Sequence, residues 1–151
     1  MDIQNSVHAK KAMELFKEGY NCSQAVLLAF EDVHHMDRET ASKLASSFGG
    51  GLGRMREVCG AVSGMAMVAG LLWGYDSPTD HEGKTEHYAR IQELAGKFTE
   101  VNGSIVCKEL LGLEKKEGSY VPEKRTEEYY KKRPCGDLVG IAAAILDEYL
   151  I

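Results

Sequence analysis

At 151 residues, 44% of them hydrophobic, the chain is the size of one domain and can bury a core without disulfide staples. Its 23 acidic residues outnumber 18 basic ones for a net charge of -5, which argues against broad attraction to nucleic-acid phosphates or anionic membrane surfaces. Met1 to Asn5 hold no basic segment leading into an apolar run, so the expectation is a cytoplasmic protein in a reducing milieu, where structural disulfides do not persist.

The pattern is helical almost throughout and predicts one all-α domain over 1–151, a multi-helical bundle. Ala9, Ala12, Met13, Phe16 and Tyr20 recur at helical spacing, and Gly19 is the stop. Asn21 and Gln24 form a capping box for a second helix whose seam is Cys22, Ala25, Val26, Ala29, Phe30 and Val33. Cys22 therefore opens a helix and faces inward. A third helix starts at Asp37, with Met36 and Ala41 placed as a hydrophobic staple and Ala41, Leu44, Ala45 and Phe48 buried.

The run Gly49-Gly50-Gly51-Leu52-Gly53-Arg54 cannot be a regular helix interior, since each glycine there costs about 1 kcal/mol relative to alanine. It reads as a flexible or tightly turned loop. From Val58 to Trp73 every residue is apolar or small and none is charged, and the stretch falls short of the roughly 20 residues that span a bilayer. This predicts a buried central helix, in which Gly60 and Gly64, one turn apart, let another backbone or a bound group come close.

Asp80 to Asn102 reads as a long helix with Tyr88, Ile91, Leu94, Ala95, Phe98 and Val101 inward and Glu86 paired to Arg90. Ser104 is the cap of a short helix carrying Cys107, Leu110 and Leu111, ended by Gly112. Residues 114–133 are charge-dense and read as a surface excursion with one turn of helix around Glu127 to Lys131. A last helix runs from Pro134 or Cys135 to the C-terminus on the seam Cys135, Leu138, Val139, Ala142, Ile145, Leu146 and Tyr149. No strand pattern, internal repeat or linker stands out.

Cys22, Cys59, Cys107 and Cys135 each lie at or near a helix start, where the first amides and the positive end of the helix dipole favour a thiolate. Cys59 follows Arg54-Met55-Arg56, and Cys135 follows Lys131-Lys132-Arg133-Pro134. These four are the candidate catalytic residues and the candidate metal ligands. No two have Cys-x-x-Cys spacing, so a joint site must be assembled by the fold. Gly60, Gly64 and Arg54 are the candidate cofactor contacts: Arg54 and Arg56 stand beside a glycine run whose amides could hold an anion, although the Lys-Ser/Thr ending of a P-loop is missing.

Other chemistries find no footing. His34 and His35 fall in a turn, and His81 and His87 are six apart, which is not a two-histidine metal face; all are read as surface residues. The chain has no Cys-x-x-Cys-His for covalent haem, no Gly-x-Ser-x-Gly elbow and no Rossmann glycine pattern.

Cys22, the block Gly49 to Arg54 leading into Glu57-Val58-Cys59-Gly60-Ala61-Val62-Ser63-Gly64, then Cys107 and Cys135, resembles the C-GCAxxG-C-C family of redox-active proteins over roughly Leu15 to Ile145. The family's name gives Gly-Cys-Ala where this chain has Cys59-Gly60-Ala61, a displacement that turns a side chain by about 100° around a helix. The resemblance implies a small protein with a redox or metal-linked role. Three readings stand side by side: four thiolates converging on an iron-sulfur cluster or another metal, a metal-free thiol/disulfide couple, and a helical binding protein whose cysteines are core. The first two call for a redox partner protein.

Overall fold

The computed structural model describes residues 2–113 and 119–150, and these form helices joined by short turns. α1 (Val7–Glu18) is capped by Ser6, whose side chain accepts the Ala9 amide, and stops at left-handed Gly19. α2 (Cys22–Ala29) carries the expected capping box between Asn21 and Gln24. The seam expected to continue through Val33 breaks at Phe30; α3 (Glu31–His34) follows it and ends at His35, with φ 59°. α4 (Arg38–Ser46) is capped by Asp37, and α5 (Gly49–Leu52) is a single turn.

α6 (Gly60–Trp73) begins two residues later than the sequence suggests, because Val58 is drawn into an extended pairing with Val106. α7 (His81–Asn102) is followed by the one-turn α8 (Cys107–Leu110). Of the charge-dense excursion, 114–118 lies outside the described residues; its expected turn of helix is α9 (Glu127–Lys132). α10 (Cys135–Leu150) closes the chain. No described helix is long and apolar enough to cross a membrane.

Burial is heaviest on α2 and α10 rather than on α6. Every residue of α2 except Gln24 is buried, and the helix packs against α1, α4, α6 and α10. α10 is buried on all sides from Leu138 to Leu146, where small residues let neighbours come close. α6 is enclosed mainly over its first half, and Leu71 near its end is 44% exposed. The contact of α2 with α6 is tight: a Cβ on Gly64 would stand 2.8 Å from the Ser23 carbonyl oxygen and 2.9 Å from the Val26 Cβ. Phe16, Phe30, Phe98, Leu27 and Leu28 are fully buried, each stabilising the fold by about 1.5–3 kcal/mol.

α7 turns the expected Ile91, Leu94 and Phe98 inward but differs at the edges of the stripe. His87, Leu94 and Phe98 are buried, while Tyr88 and Val101 are exposed, so the inward positions follow the regular 87-91-94-98 spacing. His87 is therefore not a surface residue. Arg90 does not turn to Glu86; its guanidinium lies 3.1 Å from His87 Nδ1, donates to the Trp73 carbonyl and sits over the Trp73 ring.

One polar cluster ties three helices together away from the cysteines. Asp147 of α10 accepts the Ser6 hydroxyl and lies 2.7 Å from His8 Nδ1, while His8 Nε2 lies 3.0 Å from Asp32 and its ring stacks on Phe30 at 4.2 Å. Asp147→Ala removes both acceptor contacts and should lower the unfolding free energy by about 1–3 kcal/mol in a urea titration followed by circular dichroism. Asp32→Ala touches an exposed carboxylate and should cost less than about 1 kcal/mol.

Candidate functional site

The four helix starts that carry the cysteines converge on one cavity of about 420 Å³. Cys22, Cys59 and Cys107 are buried there, and Cys135 is partly exposed. The orientation left open by the displaced Cys59-Gly60 pair is decided by the chain's entry: Cys59 occupies the N-cap position of α6 and borders the cavity.

Separate devices set each thiol in place. At α2, the Asn21 amide donates to the Ser46 carbonyl and the Ser23 hydroxyl to the Ala45 carbonyl at 2.7 Å, which fixes Cys22 against the end of α4. Cys59 and Cys107 are joined by a two-residue antiparallel bridge between Val58 and Val106. The Cys59 amide donates to Ile105 at 2.7 Å, the Cys107 amide to Glu57 at 2.6 Å and the Lys108 amide to Arg56 at 3.2 Å. This extended pairing moves the start of α8 past Ser104, which bonds the Val106 amide and leaves the cap position to Val106. Pro134 precedes Cys135, and its carbonyl accepts the amides of Asp137 and Leu138.

The glycine run makes a left-handed turn. Gly50, Gly51, Leu52, Gly53 and Arg54 have φ of 67, 71, 71, 56 and 66°, and Arg56 has 62°. For a residue with a Cβ this region costs about 1–2 kcal/mol, so Leu52, Arg54 and Arg56 are strained positions. The amides of residues 52 to 57 all return to carbonyls between Ser47 and Leu52, so they are not turned toward an anion. The turn borders the cavity with Gly49, Gly50, Gly51 and Gly53 and with the side chains of Arg54 and Arg56.

Its glycines also let the backbone pass close to the thiols. A Cβ on Gly51 would lie 2.7 Å from Cys107 Cβ, and one on Gly60 would lie 3.0 Å from Cys22 Cβ. Gly60 therefore borders the cavity, whereas Gly64 packs only against the body of α2. Arg54 donates to the carbonyls of Ser119 and Val121 and lies 3.6 Å from Glu123. Arg56 points at Cys107, Nη1 to Sγ 3.6 Å.

Arg125, Arg133, Tyr129 and Tyr120 complete the wall, and the sequence offered no signal for most of them because they come from the charge-dense excursion. Arg125 donates to the Phe16 and Tyr20 carbonyls at 2.7 and 2.9 Å and lies 3.9 Å over the Phe16 ring. Arg133 pairs with Glu123.

The thiols differ in how tightly they hold their protons. A hydrogen bond from Cys22 lowers Cys135 to about 7, helped by Arg133, Arg125 and Arg56 and opposed by burial. The same bond, with burial behind it, raises Cys22 well above the ordinary thiol range. Burial pushes Cys59 up to about 12 against the pull of the Ala61 and Val62 amides. Cys107 is also raised by burial, with Arg56 opposing. Of the four thiols, Cys135 alone is drawn below the ordinary range, and Cys22 beside it is raised.

Among the described residues no group of three or more His, Cys, Asp or Glu side chains is placed to hold one metal ion.

Alkylation by iodoacetamide, located by peptide mass mapping, should label Cys135 first, its rate rising through a pH of about 7, while Cys59 responds only near 12. Cys22→Ala removes the donated hydrogen bond and should move the Cys135 profile to higher pH.

A family model described as "Putative redox-active protein (C_GCAxxG_C_C)" matches residues 20–149. No curated protein and no solved structure matches the chain. The matched span takes in Cys22, the glycine turn, Cys59, Cys107 and Cys135, and the chain belongs to the C_GCAxxG_C_C redox-active family.

Proposed function

We propose that the protein is a thiol/disulfide redox protein in which Cys135 is the nucleophile and Cys22 the resolving thiol. What supports this reading is that Cys22 and Cys135 border one cavity, with Cys135 drawn below the ordinary thiol range and Cys22 raised above it. A thiolate at neutral pH attacks, and a neighbouring thiol held protonated waits to complete the exchange.

The Cys135 thiolate attacks one sulfur of a substrate disulfide, the substrate S–S bond breaks, and half of the substrate leaves as a thiolate that takes up a proton. Cys22 then loses its proton and attacks the Cys135 sulfur, forming a Cys22–Cys135 disulfide and releasing the second half as a thiol. Two electrons pass from the protein to the substrate, and an external dithiol, such as a partner protein, returns them. Cys59 and Cys107, both raised by burial, border the same cavity without entering this step.

Equilibration in thiol/disulfide buffers of stepped ratio should reveal one reversible two-electron couple, read by mass after acid quenching and alkylation. Cys22→Ser and Cys135→Ser should each abolish it, and Cys59→Ala and Cys107→Ala should keep it. Survival of the couple in Cys135→Ser would sink the assignment.

A second reading is favoured by the sharing of one cavity by all four cysteines: a thiolate-bound metal or iron-sulfur cluster held by Cys22, Cys59, Cys107 and Cys135. The side chains as placed do not fit it, since no three of them gather on a common point among the described residues. Anaerobically purified protein should accordingly contain no stoichiometric iron, acid-labile sulfide or zinc. Stoichiometric metal lost on replacing any one cysteine would establish the cluster instead.

A further inference from the structure

The cavity is cationic in a chain that is acidic. Arg54, Arg56, Arg125 and Arg133 all border it, and Glu123 is the one carboxylate among the described residues that does. The chain as a whole carries a net charge of -5, so this concentration of guanidinium groups runs against the composition.

Two of the four, Arg54 and Arg56, are presented there on strained left-handed backbone. Backbone strain and like charge gathered at one cavity are features of binding sites. Glu123 already shows what the wall accepts: its carboxylate pairs with Arg133 and lies 3.6 Å from Arg54.

The volume narrows the class. A space of about 420 Å³ admits a small molecule but not a folded polypeptide. Apolar walls from Phe16, Leu110, Leu138 and Tyr129 suit a thioether-like or aliphatic body beside the charge.

We infer that the substrate of this site is a small anionic disulfide, a molecule that carries carboxylate or comparable anionic groups close to its S–S bond. This rests on the thiol/disulfide reading above. The anionic groups dock on the arginines, which places the S–S bond within the cavity that holds Cys135. Cys135 forms the mixed disulfide with one half, and Cys22 displaces that half as a thiol. The two electrons end on the substrate, and an external dithiol restores Cys22 and Cys135.

The test uses three disulfides of similar size and different charge against the fully reduced protein: dithiodiglycolate (anionic), 2-hydroxyethyl disulfide (neutral) and cystamine (cationic). Each rate of protein oxidation is divided by the rate of the same disulfide with 2-mercaptoethanol, which removes differences in intrinsic reactivity. The normalised order should be anionic, neutral, cationic, with at least about a tenfold spread between the ends at low ionic strength that collapses in concentrated salt. Arg133→Gln should lower the anionic-to-neutral ratio several-fold, and Glu123→Gln should raise it; taking the ratio within each variant cancels any change in the nucleophile.

Equal or reversed normalised rates in the wild type would overturn the anionic preference and leave the dithiol chemistry standing. Failure of all three disulfides to oxidise the protein would overturn both.

Discussion

The start of α2 is the fixed point against which the rest of the site is set. Asn21 caps that helix and also bonds the end of α4, and Ser23 bonds the same end one residue earlier. Two glycines then let the chain fold back onto it. A Cβ on Gly49 would overlap the Asn21 side chain at 2.4 Å, and Gly60 brings the start of α6 against Cys22. Nearly all of α2 is buried, so this end cannot shift without disturbing its contacts with α1, α4, α6 and α10. Rigid placement of one thiol is what lets the others be arranged around it.

The remaining thiols are delivered by local devices that are individually weak. The Val58–Val106 pairing is too short to be a strand, yet its flanking hydrogen bonds hold the starts of α6 and α8 side by side. The left-handed turn from Gly50 to Arg54 carries strain, and it persists because its amides are bonded to carbonyls of the same turn. Electrostatics then separates the four sulfurs. Cys59 and Cys107 are governed by burial, whereas the Cys22 hydrogen bond and three arginines prevail over burial at Cys135.

Much of this was legible in the residues. The capping box at Asn21, the glycine stops and the apolar periodicities place most helices, because these signals act within a few residues. The cysteines at helix starts and the family resemblance pointed to a joint site. The heaviest burial was not legible: apolar composition singled out Val58 to Trp73, but enclosure depends on how neighbours pack around a helix, and α2 and the middle of α10 are covered on all sides while the end of α6 is not. The inward face of α7 was right at Ile91, Leu94 and Phe98 and wrong at its edges, where Tyr88 and Val101 outweighed His87, which contacts Arg90 and Tyr75. The Val58–Val106 bridge has no periodic signature, and Arg125 and Arg133, half of the cationic wall, come from a segment whose charges read as a surface excursion. Long-range pairing of single residues leaves no pattern in a sequence.

The central claim is that Cys22 and Cys135 form one redox couple. Its most direct measurement is peptide mapping under non-reducing conditions, after mild oxidation of the fully reduced, folded protein and alkylation of the remaining thiols. The account predicts a single cross-linked pair joining the peptides of Cys22 and Cys135, with Cys59 and Cys107 recovered alkylated. A dominant link between any other two cysteines, or four thiols that resist oxidation while the fold is intact, would contradict it.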